Sequence, residues 1–336
     1  MLAAHRSKII KLAKPPPALA LFLLAPAVGE LLSGSAPPAE FFTPFGLAIL
    51  VSLYGSGAVI VRELSTRWKK GIGSMLLLGA AYGILEEGLM VCSFFNPGWL
   101  DLGRLAVYGR WLDVNWVWAE MLIIYHAVYS ITIPIVLVEL AYPERHHEAW
   151  VDRRMLTAVF GLLFGVVVFG FLLFASFLKY WPPMPQYLLT IAVMVLFCYA
   201  AYWLPSDWGG HGRRPLPRLP LMWTMGAVGT FIFFIGFWTL PTLTPFWSLA
   251  MLSGVVLVLL YVWLLEGYEW KAPSDRHRFV LASGALTFFI VFAPLQELDP
   301  TRADNPVGMG LVGLAFLVGL VLLGRHVWAR ERASKG

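Results

Sequence analysis

Residues 153–180 read RRMLTAVFGLLFGVVVFGFLLFASFLKY. Between Arg154 and Lys179 no side chain is charged and none is histidine. A helix of a soluble domain keeps a polar face opposite its apolar stripe, and this run has none. About 20 mostly apolar residues suffice to cross a bilayer. The stretch 155–178 is therefore a membrane span, and the rest of the chain is read against it.

Nine further stretches of the same kind flank it, at roughly 16–34, 43–61, 72–95, 115–140, 186–204, 220–239, 245–265, 279–296 and 307–324. Prolines and charges fall in the breaks: Pro15-Pro16-Pro17, Arg67 to Lys70, Pro143 to Arg145, Pro182 to Pro185, Arg213 to Arg218, Arg276 to Arg278 and Asp299-Pro300. The predicted fold class is an all-α polytopic transmembrane helix bundle of about ten spans. Residues 1–336 would form a single integral membrane domain, with a polar core in 16–140 and an apolar helical scaffold in 155–324. Composition agrees. Of the 336 residues 59% are hydrophobic and 13% charged, against about 25% charged in soluble domains, and the mean hydropathy is +0.71. A soluble enzyme, a disordered chain and a nucleic-acid-binding module are excluded. Two cysteines support neither a disulfide framework nor a thiolate zinc site.

Cytoplasmic loops collect Lys and Arg. With both termini inside, only Arg104, Arg110, Lys179 and Arg302 of the 25 basic residues lie in outer loops. Losing one span would invert every later loop and destroy that bias. The net charge of +5 follows from this distribution. The expected location is the plasma or inner membrane. Basic residues in 6–14 followed by an apolar run and Ala25-Pro26-Ala27 also fit a cleavable signal peptide, although an uncleaved first span keeps the charge alternation. The outer segment from Asn96 to Val114 is rich in Trp, Tyr and Leu. It either lies at the interface as an aromatic belt or folds back as a cap.

An ionisable group at the centre of a spanning helix costs about 2.5–3.5 kcal/mol on insertion scales, so it is normally paired or functional. Such groups concentrate in the first four spans: Glu30, Glu86, Glu87, Glu120 and His126, with Arg62-Glu63 and Glu139 at inner ends as structural ion pairs. Glu86 lies roughly 22 Å along its helix from Gly71, and His126 about 16 Å below the outer end of the next span. Tyr82 shares the face of Glu86, and Asn115 that of His126. Antiparallel neighbours would let Glu86 or Glu87 approach His126, with Asn115 and Glu120 lining the entrance and Glu30 meeting a polar group at the outer mouth. Two adjacent carboxylates away from water cannot both ionise cheaply, which leaves one available as a base or proton carrier. The alternative is a buried hydrogen-bonding network with the second glutamate facing the loop. One mid-membrane histidine lacks the company for a zinc or haem site, so neither metal nor cofactor is expected. His146 and His147 are expected to face solvent, and Gly55, Ser56 and Gly57 to allow close helix contact.

The run Tyr82-Gly83-Ile84-Leu85-Glu86-Glu87-Gly88-Leu89, followed by His126 in the next span, resembles the CPBP (CAAX-processing and bacteriocin-processing, or ABI) membrane proteases. The resemblance implies a Glu86–Glu87 pair that activates water and places His126 as the first histidine. Val91 and Leu122 stand where that family carries Arg and Phe, and no later span carries the second histidine. The whole layout, with Gly-Ile-Leu-Glu-Glu-Gly-Leu and the following Asn-Pro, also resembles uncharacterised polytopic prokaryotic membrane proteins. Three functions are open from the sequence. One is a glutamate-dependent hydrolase whose catalytic residues are Glu86, Glu87 and His126, with Tyr82, Asn115, Glu120 and Glu30 contacting a peptide or lipid-like substrate. The second is a proton-coupled small-molecule carrier, although no polar motif repeats between the two halves. The third is a non-catalytic subunit of a larger membrane complex. Membrane lipids are partners in every case.

Overall fold

The helices begin where the sequence provides acceptors for the free N–H groups of a first turn. Thr43 accepts the Gly46 N–H at 2.9 Å, Asn115 that of Trp118 at 3.0 Å and Asp152 that of Met155 at 2.7 Å. Prolines open three others, at Pro17, Pro185 and Pro220, where a missing N–H costs nothing. The Glu297 carboxylate accepts from Gly308 and Gly310 at 3.1 and 2.8 Å, at the start of the last helix.

The computed structural model describes residues 14–100, 102–206, 208, 212–270 and 275–333. Nine helices among them are long and apolar enough to cross a membrane. They are α2 (Pro44–Arg67), α3 (Ile72–Met90), α4 (Trp116–Ala141), α5 (Arg153–Leu178), α6 (Met184–Trp203), α7 (Leu219–Leu243), α8 (Trp247–Glu266), α9 (Asp275–Glu297) and α10 (Met309–Ala333). The first expected span is the shorter apolar helix α1 (Pro17–Leu32). The protein is thus an all-α polytopic bundle. The basic residues in 6–13 lie outside the described residues, whereas Ala25-Pro26-Ala27 falls within α1, with Ala25 and Pro26 buried.

Burial is uneven, and that positions the site. In the most apolar window of α4, 78% of residues are enclosed by protein, and in that of α3, 72%; for α6 and α8 the figures are 6% and 11%. The central helices are therefore those carrying the polar residues, while the outer ones face lipid. Helix α4 serves two cores. One face presents Tyr129 to Phe233, Phe234 and Phe289 of α7 and α9, and the Tyr129 hydroxyl donates to Thr230 at 3.0 Å. The other face presents His126 to α2 and α3.

At the inner side Arg62 is fully buried. It lies 3.2 Å from Glu63 and 3.7 Å from Glu139, and its guanidinium stacks 3.7 Å over the Trp150 ring. It also donates to the carbonyls of Arg145, His146 and Glu148. A charged residue thus fastens the 142–152 loop, because its two terminal nitrogens reach three carbonyls of that loop besides the Glu63 carboxylate. His146 departs from the solvent-facing expectation: its Nδ1 sits 3.1 Å from Glu139, because that carboxylate is buried and lies within reach of the loop. His147 remains exposed.

At the end of the bundle opposite Arg62, the side expected to be outer, the segment after α3 folds back as a cap. Phe94, Phe95, Leu102 and Leu105 are buried. A two-residue hairpin pairs β1 (Arg110–Trp111) with β2 (Val114–Asn115), and Arg110 donates to Phe95 O at 2.7 Å. Asn96 accepts from Gly98 N at 2.9 Å and makes the turn. Only the tips, including Leu100, Val107 and Leu112, point outward.

Candidate functional site

Each of the first four helices contains a π-helical stretch, in which hydrogen bonds close one residue later than in an α-helix. They span Ala27–Leu32 in α1, Val51–Gly55 in α2, Ile84–Met90 in α3 and His126–Thr132 in α4. Such stretches recur at functional sites because they re-aim side chains and free carbonyls. Here they hold Glu30, Tyr54, the Glu86-Glu87 pair and His126, the polar residues of the bundle centre. Freed carbonyls are capped by phenols: Tyr125 donates to Gly29 O, and Tyr187 to Leu89 O at 3.0 Å.

The structure brings Glu86, Glu87 and His126 together. The imidazole lies between the two carboxylates, with Nδ1 3.5 Å from Glu86 Oε2 and Nε2 3.4 Å from Glu87 Oε1. Adjacent acids cannot point the same way, and here they need not, since they reach opposite edges of one ring. His126 is 1% exposed, and the side chains of Glu86 and Glu87 are 8% and 13% exposed. Glu87 is further oriented by the Ser93 hydroxyl, which donates to Oε2 and accepts from Trp118 Nε1 at 3.0 Å. Glu86 Oε2, His126 Nδ1 and the Tyr82 hydroxyl are buried without a close, well-aligned hydrogen-bond partner, and the hydroxyls of Tyr54 and Tyr82 both stand beside the Glu86 carboxylate. Tyr82 and Tyr54 pack around the imidazole with ring centroids 5.9 Å from it.

Close backbone approach makes this possible. A Cβ on Gly83 would stand 2.9 Å from His126 Cβ, and one on Gly79 2.9 Å from Ala127 Cα. A side chain on Gly57 would collide with the Tyr82 ring, so the small residues of span 2 do serve close packing. Glu30, expected to meet a polar group, accepts a hydrogen bond from Tyr54 and belongs to the same cluster.

Two expected substrate contacts lie elsewhere. Asn115 is a buried helix cap, accepting from Trp118 N and donating to Leu105 O. Glu120 turns to the opposite side, toward Gly254 of α8, where the missing Cβ leaves room for its carboxylate. The eleven-residue spacing of Asn115 and His126 puts those two on one face, with Glu120 beside Asn115 at the entrance. The helix from Trp116 to Tyr125 is regular, so Glu120 stands about 120° round it from His126, and Asn115 is the non-helical cap that precedes its first turn.

The sequence reading missed Tyr54, Ser93 and Trp118. Tyr54 carries a hydroxyl within a span and was visible as such; Ser93 and Trp118 carry no signal apart from the fold that joins them. A metal was not expected from a single histidine. The folded site nonetheless offers three donors, one each from Glu86, Glu87 and His126, within 4.8 Å of one another.

The fold and the cluster together define a polytopic α-helical membrane protein with an acid–imidazole–acid site enclosed by its first four helices. The chain belongs to an uncharacterized membrane protein family, whose model matches residues 19–335. No curated protein and no solved structure matches it. The similarity to the CPBP proteases therefore rests on the two short motifs alone.

Proposed function

We propose that the cluster is a hydrolytic acid–base site that works without metal on a peptide or lipid-like substrate. One observation carries this reading: Glu86 Oε2 and His126 Nδ1 are 3.5 Å apart, both buried, and neither atom has a close, well-aligned hydrogen-bond partner. A water lying against these two atoms satisfies both. Glu86 takes its proton as the water oxygen adds to the substrate carbonyl, and the same proton passes to the leaving nitrogen or oxygen as that bond breaks. His126, tied to Glu87 through Nε2, supplies positive potential for the oxyanion. Glu87, fixed by Ser93, holds the ring in place. The resemblance of Glu86-Glu87 and His126 to the CPBP motifs points the same way.

The test uses the purified chain in liposomes carrying lipid-anchored and transmembrane peptides in ¹⁸O-water, with mass spectrometry of the product carboxylates. The wild type incorporates the label, and chelator has no effect. Glu86→Gln and Glu87→Gln lose about 10²–10⁴-fold with unchanged folding. Full turnover in both variants would end the hydrolase reading. Solute uptake driven by a pH gradient, without label incorporation, would transfer the glutamate pair to a proton-coupled carrier.

A further inference from the structure

A separate feature lies at the other side of the bundle, away from the acid–imidazole cluster. Helices α9 and α10, with Trp223 of α7, line an open cleft of about 780 Å³. That volume is in the range of ligand pockets rather than gaps between side chains. Its floor is buried, formed by Phe279, Leu320 and Gly324, while Val291, Leu317 and Val321 on its rim are exposed. A Cβ on Gly324 would stand 3.0 Å from the Phe279 ring, so the glycine sets the depth there. From Arg332 to Leu317 the cleft follows α10 for roughly 22 Å, about the depth of one leaflet with its headgroup.

The inner end is charged in a particular way. Arg276 pairs with Glu331 at 2.8 Å, and Arg330 pairs with Asp275. Arg325 and Arg332, which line the cleft, are exposed and have no acidic partner among the described residues. Trp223 and Trp328 line the same end, where amphipathic rings sit at headgroup depth. Apolar walls of leaflet length that end in two uncompensated guanidiniums complement one class of molecule. Basic pockets between spanning helices at the cytoplasmic side hold anionic headgroups, and guanidinium matches phosphate oxygens in a fork.

We infer that the α9–α10 cleft is a binding site for an anionic glycerophospholipid of the inner leaflet, whose phosphate is held by Arg325 and Arg332. Native mass spectrometry of the full chain in detergent, titrated with dioleoyl phosphatidylglycerol or dioleoyl phosphatidylcholine, tests it. Phosphatidylglycerol adducts should survive at lower lipid concentration than phosphatidylcholine adducts. Arg325→Gln and Arg332→Gln each weaken phosphatidylglycerol binding about fivefold, and together about thirtyfold, with phosphatidylcholine unaffected. Val321→Trp, which fills the cleft, weakens both lipids. The pair Arg153→Gln/Arg154→Gln removes equal charge from the same membrane face on α5 and leaves binding unchanged. Equal retention of the two lipids, or an equal loss in the α5 control, overturns the inference. So does a result in which the cleft variants abolish a dimer instead of a lipid adduct.

Discussion

Ser93→Ala removes one oxygen from the bundle centre, and its cost can be worked from the contacts it makes. Ser93 is fully buried, and its hydroxyl both donates to Glu87 and accepts the indole N–H of Trp118 at 3.0 Å. Losing a hydrogen bond to a carboxylate costs about 1.5–3 kcal/mol, and leaving a buried N–H without a partner about 1–3 kcal/mol. No cavity of consequence forms, since only the oxygen is lost. The sum is about 2.5 kcal/mol at the low end. With an unfolding entropy of about 2.1 cal/mol/K per residue over 336 residues, that lowers Tm by roughly 4 °C. The assay is thermal unfolding in one detergent, followed by tryptophan fluorescence, for Ser93→Ala, Trp118→Phe and the double variant. In the Trp118→Phe background no indole is stranded, so Ser93→Ala should cost about half as much there, a coupling that a double-mutant cycle resolves. A shift under 1 °C in Ser93→Ala, or strict additivity, would refute the account of Glu87 as a carboxylate oriented through Ser93 and Trp118.

Two further outcomes follow from the packing. Arg62→Met removes the cation shared by Glu63 and Glu139 and strands three loop carbonyls, and should cost about 3–5 kcal/mol. Adding Glu63→Leu and Glu139→Leu should not restore stability, because those carboxylates also hold Arg67, Trp150 N, Arg278 and His146; chemical denaturation in which the three-residue variant regains wild-type stability would contradict it. Gly83→Ala drives a Cβ to 2.9 Å from that of His126 and should destabilise by about 1–3 kcal/mol through overpacking. Gly165→Ala on lipid-facing α5, with nothing within 4 Å, should be neutral or stabilising by up to about 1 kcal/mol, and the difference between their Tm values is the check.

Sequence alone determined that this chain is a polytopic membrane protein, and among the described residues nine of its ten expected spans are helices long and apolar enough to cross. Lipid cannot satisfy a backbone polar group, so long apolar runs between proline and charge clusters must be helices. The observed α5 begins two residues before the expected span and ends with it, and the other long helices agree to within a turn at most boundaries. Sequence also determined that Glu86, Glu87 and His126 are the groups whose burial requires partners. It could not decide how they meet. A π-turn leaves no periodic trace in a helix that is apolar all round, yet four of them set the angles at which Glu30, Tyr54, the glutamate pair and His126 converge. Asn115 serves as the cap of a regular helical stretch, and Glu120 faces α8 from within it. The contacts that complete the site run between distant residues: Ser93 with Trp118, and Tyr125 with Gly29. The cleft along α9 and α10 was likewise invisible, because an apolar helix reads the same whether its side chains fill the groove beside its neighbour or leave it open. Which helices enclose one another is a matter of side-chain packing across space, and only tertiary structure fixes it.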